Sequence, residues 1–222
     1  MKNRLSLFVI PLILTPLSGC SKMVSTEVTE TQYLACQQLF QEKSYTLSNA
    51  DQYTINEEGE KTNFEPPIER VDYVDEQNQI FALEYLDYYK VWFKNPNPKN
   101  SSYPWIECTA ADDEKTEWYC RESYFPNIRH QYFPDYSDLT YDSKRKAYRS
   151  PAISDSVSVQ IEWYYFENGI LTKTEVEYYY DYPENIPLAH CSFPITNFGT
   201  TVIGIPEKKY WSRLVLSSDN LG

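Results

Sequence analysis

The chain has 222 residues, with 32 Asp and Glu against 20 Lys and Arg, a formal charge of −12, and 21 Tyr against only 6 Gly. That balance excludes the basic surface that nucleic-acid phosphates demand, and it excludes direct adsorption to anionic lipid headgroups. A chain of this length can bury one sizeable core, and its excess of Tyr suits pleated, half-buried surfaces. The fold class expected is therefore mainly β (α+β), an antiparallel sheet or sandwich-like domain with one N-terminal helix.

The first residues are MKNRLSLFVIPLILTPLSGC. Lys2 and Arg4 give a basic start, and an apolar run from Leu5 to Leu17 follows, broken by Pro11 and Pro16. The run is shorter than the about 20 apolar residues that span a bilayer core, so it reads as an export signal. Leu17-Ser18-Gly19-Cys20 resembles the lipobox of bacterial lipoproteins. The resemblance covers only the first twenty-odd residues. It implies cleavage before Cys20, acylation of its sulfur with a diacylglycerol, and palmitate-type acylation of the new amino group. Each buried methylene contributes about 0.8 kcal/mol, so more than one chain gives stable anchoring. Ser21 after the cysteine implies sorting to the outer membrane, most naturally on the periplasmic face, with the inner membrane and the cell surface as alternatives. The organisation expected is a signal peptide over 1–19, a lipidated tether over 20–28 and one mainly-β domain over 29–222. Losing Lys2 and Arg4 leaves 18 basic and 32 acidic side chains, a charge of −14 over 203 residues.

With Cys20 acylated, Cys36, Cys108, Cys120 and Cys191 remain. An even count in an oxidising compartment suggests two disulfides, with three connectivities open. WIECTAADDEKTEWYCRES reads as strand, acidic turn, strand. Facing Cys108 with Cys120 sets Glu107 against Arg121, an opposite-charge pair, and Ile106 against Glu122. That favours Cys108–Cys120 and leaves Cys36–Cys191 to tie the start of the domain to its end. Zinc is set aside, because the spacing of its cysteine ligands is absent and His130 and His190 are the only histidines.

Thr29 with Gln32 forms a capping box, and Tyr33, Cys36, Leu39 and Phe40 recur at helical spacing, so a helix is expected from about 30 to 42. SNADQYTINEEGEKTNFEPP reads as loop, or at most a short edge strand. ERVDYV is a strand, DEQN a turn, and QIFALEYLDYYKVWF one long strand with Phe81, Leu83, Tyr85, Tyr89, Val91 and Phe93 on one face. NPNPKNSSYP cannot be a central strand. The segment from Phe125 to Pro151 has no clean period. It carries the basic cluster Lys144, Arg145, Lys146 and Arg149, which is either solvated loop or a binding determinant.

Asn168-Gly169 between alternating runs marks a hairpin with a type I′ turn. A regular two-residue loop pairs Glu167 with Ile170, Tyr165 with Thr172, Trp163 with Thr174, Ile161 with Val176, Val159 with Tyr178 and Val157 with Tyr180. The opposite face then carries Gln160/Glu177, Glu162/Glu175 and Tyr164/Lys173, and reads as wet. On it Tyr164, Phe166 and Tyr179 are candidate binding residues, suited to stacking on sugar rings. The reading preferred for them is core, with a second sheet or the helix covering them. TTVIGI and YWSRLVLSS read as two closing strands.

No G-x-S-x-G elbow, P-loop, Rossmann fingerprint or H-E-x-x-H occurs, and acidic pairs such as Asp112/Asp113 carry no weight among so many acids. The expectation is a non-catalytic envelope protein with no cofactor and no metal, acting as a protein-interaction module. The alternatives are a glycan- or peptidoglycan-binding lipoprotein and a carboxylate-dependent envelope hydrolase. Partners expected are the membrane, through lipid, and an envelope protein or glycan, with no nucleic acid.

Overall fold

The structure, a computed structural model, describes residues 24–56, 58–64, 69–86, 88–98, 102–154, 158–179 and 187–211. The signal peptide, Cys20, the Val157/Tyr180 pair and residues 212–222 lie outside the described residues.

One helix precedes a mainly antiparallel sheet. α1 (Glu30–Glu42) begins at the expected capping box: Thr29 Oγ1 accepts from the Gln32 amide, and the Gln32 side chain accepts from the Thr29 amide at 2.9 Å. That box satisfies two amides which the first helical turn leaves without partners. The strands follow as β1 (Tyr45–Ser48), β2 (Ala50–Ile55), β3 (Lys61–Asn63), β4 (Arg70–Asp75), β5 (Ile80–Tyr85), β6 (Tyr88–Lys94), β7 (Trp105–Ala110) and β8 (Trp118–Ser123). The second half supplies β9 (Thr140–Asp142), β10 (Ala147–Arg149), β11 (Ile153–Ser154), β12 (Val159–Glu167), β13 (Ile170–Tyr179) and β14 (Ala189–Thr196). A one-turn helix, α2 (Lys208–Trp211), ends the described chain. Strand order is β8-β7-β6-β5-β4-β1-β14-β13-β12-β10-β9, an open sheet whose two meanders meet at the β1/β14 seam.

α1 and the passage around Ile128–Leu139 cover one face, here termed inner. Tyr33, Cys36, Phe40, Tyr45, Leu47, Phe81, Trp92, Tyr164, Phe166, Leu171 and Phe193 are buried there. Tyr33 packs on Phe166 with ring centroids 5.9 Å apart, and Phe40 on Tyr45 at 4.8 Å. Behind β5–β8, Ala82, Val91, Phe93, Ile106 and the Cys108–Cys120 disulfide form a second cluster against Ile203, Tyr210 and Trp211. The disulfide closes a 12-residue separation with the register expected: Cys108 opposite Cys120, Glu107 opposite Arg121, Ile106 opposite Glu122.

Several expectations need correction. The polar passage after α1 forms β1, β2 and β3, because β1 buries Tyr45 and Leu47 while its partners supply the ladder on both sides. QIFALEYLDYYKVWF is two strands, since Leu86 turns the chain with a left-handed φ of 52°. Phe81 consequently pairs with Trp92 on the inner face, and Ala82 with Val91 on the outer. TTVIGI makes no ladder; it lies over the outer face, where Thr201 Oγ1 meets Thr46 Oγ1 at 2.9 Å. Residues 24–28 are docked rather than a free tether. Val28 is buried, its amide donates to Tyr148 Oη at 2.9 Å, and its carbonyl accepts from Tyr136 Oη at 2.8 Å.

The expected Cys36–Cys191 bridge is absent, and both are free thiols. Cys36 Sγ accepts from the Leu171 amide at 3.3 Å, whereas Cys191 lies opposite Val176, five positions further along β13. At strand rise that is about 16 Å, beyond the about 7 Å Cα separation that a disulfide tolerates.

Candidate functional site

The hairpin forms with Asn168 at φ 51° and Gly169 at φ 86°, as a type I′ turn requires, and Glu167 faces Ile170. Its register then shifts. Thr172 is the extra residue of a bulge, its hydroxyl donating to the Tyr165 carbonyl at 3.2 Å, so that Tyr165 faces Lys173, Trp163 faces Glu175 and Ile161 faces Glu177. A bulge reverses the inward and outward alternation beyond it. One consequence bears out the core reading of Tyr164 and Phe166, and the other separates Tyr179 from them. Tyr164 and Phe166 point inward, fully buried beneath α1, and are core rather than a wet binding face. Tyr179 points to the other face, packed with Ile161, Trp163 and Ala147.

That other face gathers the carboxylates. Arg145, from the β9–β10 turn, lies 4.0 Å from the centre of the Trp163 ring. Its Nη1 donates to Glu177 at 2.7 Å, its Nη2 to Glu175, and its Nε to Tyr165 Oη at 2.6 Å. Glu175 also accepts from Tyr165 Oη at 2.5 Å and Lys173 Nζ at 2.7 Å, with His190 Nε2 at 3.5 Å. Glu177 accepts from Trp163 Nε1 at 2.6 Å and Tyr179 Oη at 3.0 Å. Burial disfavours the charge on Glu175, but donors from His190, Lys173, Tyr165 and Arg145 outweigh it and hold the carboxyl well below its usual range. Burial likewise opposes a charged His190, yet Glu175 and the Asp51 carbonyl push its pKa up. Both carboxylates are saturated with donors, so neither is free to act as an acid or base. The cluster is a clamp that fixes the β9–β10 turn against the hairpin.

The basic run therefore divides. Arg145 is spent on the clamp, Lys144 and Lys146 stay exposed at the turn, and Arg149 sits half-buried opposite Trp163. Lys146 holds a left-handed φ of 56°.

The more open surface lies at the far end of the inner face, beyond the reach of α1. There a cleft of about 370 Å³ has Leu83, Tyr88, Lys90, Trp92, Glu107 and Arg121 as floor, and Tyr124, Phe125 and Asn127 as wall. Register builds the floor: Trp92 opposes Glu107, which opposes Arg121, and all three side chains rise from one face. Glu107 is buried, accepting from Trp92 Nε1 at 3.1 Å, Lys90 Nζ at 3.2 Å and Arg121 Nη2 at 2.9 Å. Two cations share that one carboxylate, so the floor carries net positive charge in an acidic protein. The wall is aromatic. Tyr124 packs tilted against Tyr103 with ring centroids 4.2 Å apart and their hydroxyls 2.7 Å apart. Tyr119 is 75% exposed, Tyr124 58% and Phe125 69%. These large side chains cluster on or just after β8, which ends the strand order. The sequence carried one signal for them: in SYFPN, Pro126 follows two aromatics, where the strand must stop and their rings leave the sheet.

No family model matches the chain, and no curated protein matches it. Among solved structures, the chain is similar to a DUF1329 family protein from Desulfovibrio piger, with a TM-score of 0.30 and 9% identity over 82% of this chain and 95% of that one. A likeness that weak supports nothing about activity.

Proposed function

We propose that this chain is a lipid-anchored envelope protein that works by binding, with the β8 aromatic ridge and the adjoining cleft as its docking surface for another envelope protein. The carrying observation is the exposure of Tyr119, Tyr124 and Phe125 within seven consecutive residues. Soluble surfaces seldom leave large aromatics grouped in this way, and such groups mark interaction sites. Two features define the partner. β8 has no ladder neighbour on its outer side among the described residues, so an extended segment can add to it through backbone hydrogen bonds. The cations above Glu107 favour a segment carrying an acidic side chain beside an apolar one. The lipobox at Cys20 supports attachment to the outer membrane.

The test is photo-crosslinking in intact cells from a probe placed at Tyr119, compared with the same probe in a Tyr124→Ser/Phe125→Ser chain. A discrete crosslinked protein lost in the double variant supports the reading. No crosslinked protein, or one unaffected by the substitutions, overturns it. Mass spectrometry of the mature protein checks the anchor, which requires acylated Cys20 as the first residue.

A further inference from the structure

A second cleft, of about 500 Å³, opens on the other side of the helix-covered face, between α1, the β4–β5 turn and residues 131–133. It falls within the roughly 300–1,000 Å³ typical of small-ligand sites. The geometry points to a binding site for a short neutral oligosaccharide here, independent of the ridge on β8.

Four amide side chains converge on it from three parts of the chain: Gln37 and Gln41, one helical turn apart on α1, Gln79 and Gln131. An amide both donates and accepts, which matches sugar hydroxyls that do the same. Gln79 and Gln131 are positioned by hydrogen bonds of their own. Gln79 Nε2 donates to the Glu76 carbonyl at 2.8 Å, and Gln131 Nε2 to the Tyr132 carbonyl at 2.6 Å. Gln131 Oε1 accepts from the Thr174 hydroxyl at 3.5 Å, so of these two amides Gln79 is the one whose oxygen serves as acceptor for a ligand. Half-buried Phe133 supplies apolar ring surface above the buried Phe40 and Tyr45, and it is fixed by Phe40 at 5.2 Å and Tyr33 at 5.7 Å. Tyr132 stands at the rim, 65% exposed. Ring faces stack on sugar C–H groups while amides take the hydroxyls.

Charge selects the ligand class. The lining contains no Lys or Arg, and its one carboxylate, Glu76, is bonded to His130 Nδ1 at 2.6 Å. An anionic ligand would find no counter-charge in a protein of net charge −12. A peptide strand would find no ladder either, because β1, which bears Tyr45, is paired on both sides by β4 and β14.

The test is calorimetric titration of the detergent-solubilised full chain with chitotriose, cellotriose and, as the anionic arm, tri-galacturonate. Gln37→Ala/Gln41→Ala is the diagnostic variant, since Ala favours the helix and does not threaten the fold. Tyr132→Ala is a second variant at the rim. The expected result is binding of a neutral trisaccharide, weakened at least about ten-fold by the double variant, a change of about 1.4 kcal/mol. Three results would each overturn the proposal: no neutral trisaccharide binds at millimolar concentration, binding is indifferent to all three substitutions, or tri-galacturonate binds better. None of these bears on crosslinking from β8, so the two readings fail separately.

Discussion

Arg145 Nη1 donates to Glu177 at 2.7 Å across a gap of 32 residues, joining the β9–β10 turn to the centre of the β12–β13 hairpin. The same guanidinium holds Glu175, and both carboxylates are almost wholly out of solvent. Removing the cation leaves two buried carboxylates with fewer partners. Breaking one side of such a network costs about 3–5 kcal/mol. Arg145→Ala is therefore expected to lower unfolding free energy by about that amount. Lys144→Ala and Lys146→Ala, exposed at the same turn, are expected to stay within about 0.5 kcal/mol. Urea midpoints of the three variants check this. Equal effects would mean that the clamp is not what holds the turn.

The same cluster sets a pH profile. His190 stacks on Tyr53 at 4.7 Å, faces Glu175 and Glu177, and titrates above its ordinary 6.5. The fold thus binds its proton more tightly than the unfolded chain does. Its stabilisation is complete below 6.5 and is lost as pH rises through the raised folded value. Glu175 runs the other way. Its folded value lies below its ordinary 4.5, so its contribution is complete above 4.5 and fades as pH falls towards the folded value. Calorimetric scans should show the melting temperature highest between about 4.5 and 6.5. His190→Gln should flatten the alkaline decline while leaving the acid one. An unchanged alkaline slope in that variant would remove His190 from the account.

Thiol counts separate the two cysteine pairs. With Cys108–Cys120 closed and Cys36 and Cys191 free, the denatured, unreduced mature chain should titrate as two thiols if Cys20 is acylated. A titre of zero would restore the Cys36–Cys191 bridge, and three would deny the lipid. Reducing Cys108–Cys120 releases a loop of 12-residue separation, for which chain entropy gives about 3 kcal/mol. The urea midpoint should fall accordingly on adding reductant to the native protein.

What could be read from the sequence was local. The Thr29/Gln32 box and the Cys108/Cys120 hairpin depend on neighbours within thirteen residues, and both stand as expected. β14 was illegible because Pro194 in AHCSFPIT argues against a central strand. In the fold Pro194 opposes Lys173 of β13, and on its other side it falls at the seam where β14 leaves β2, last paired at Ser192/Ala50, and joins β1 at Ile195/Leu47, so there it has no ladder partner. β1–β3 were hidden by polar composition. The candidate sites were the least legible. Glutamines at 37, 41, 79 and 131 meet only through tertiary packing, and Tyr164 and Tyr124 look alike until burial separates them.

Thr172 accounts for the largest misreading. A regular ladder from the Asn168-Gly169 turn would place Lys173, Glu175 and Glu177 on the inner face beside Tyr164. The bulge at Thr172 turns them outward, to Arg145 and His190, and brings Val176 and Tyr178 inward. Deleting Thr172 should then be tolerated. Leu171 already faces Phe166 and Lys173 already faces Tyr165, so the shortened strand pairs regularly without moving any later residue to the wrong face. The expected cost is the Thr172–Tyr165 hydrogen bond and some twist, on the order of 1 kcal/mol. The alkaline pH decline assigned to His190 should persist. Deleting Gln160 instead, a residue paired with Tyr178, reverses the start of β12 and should be far more damaging. If the Thr172 deletion unfolds the chain while the Gln160 deletion does not, the bulge does not set the register.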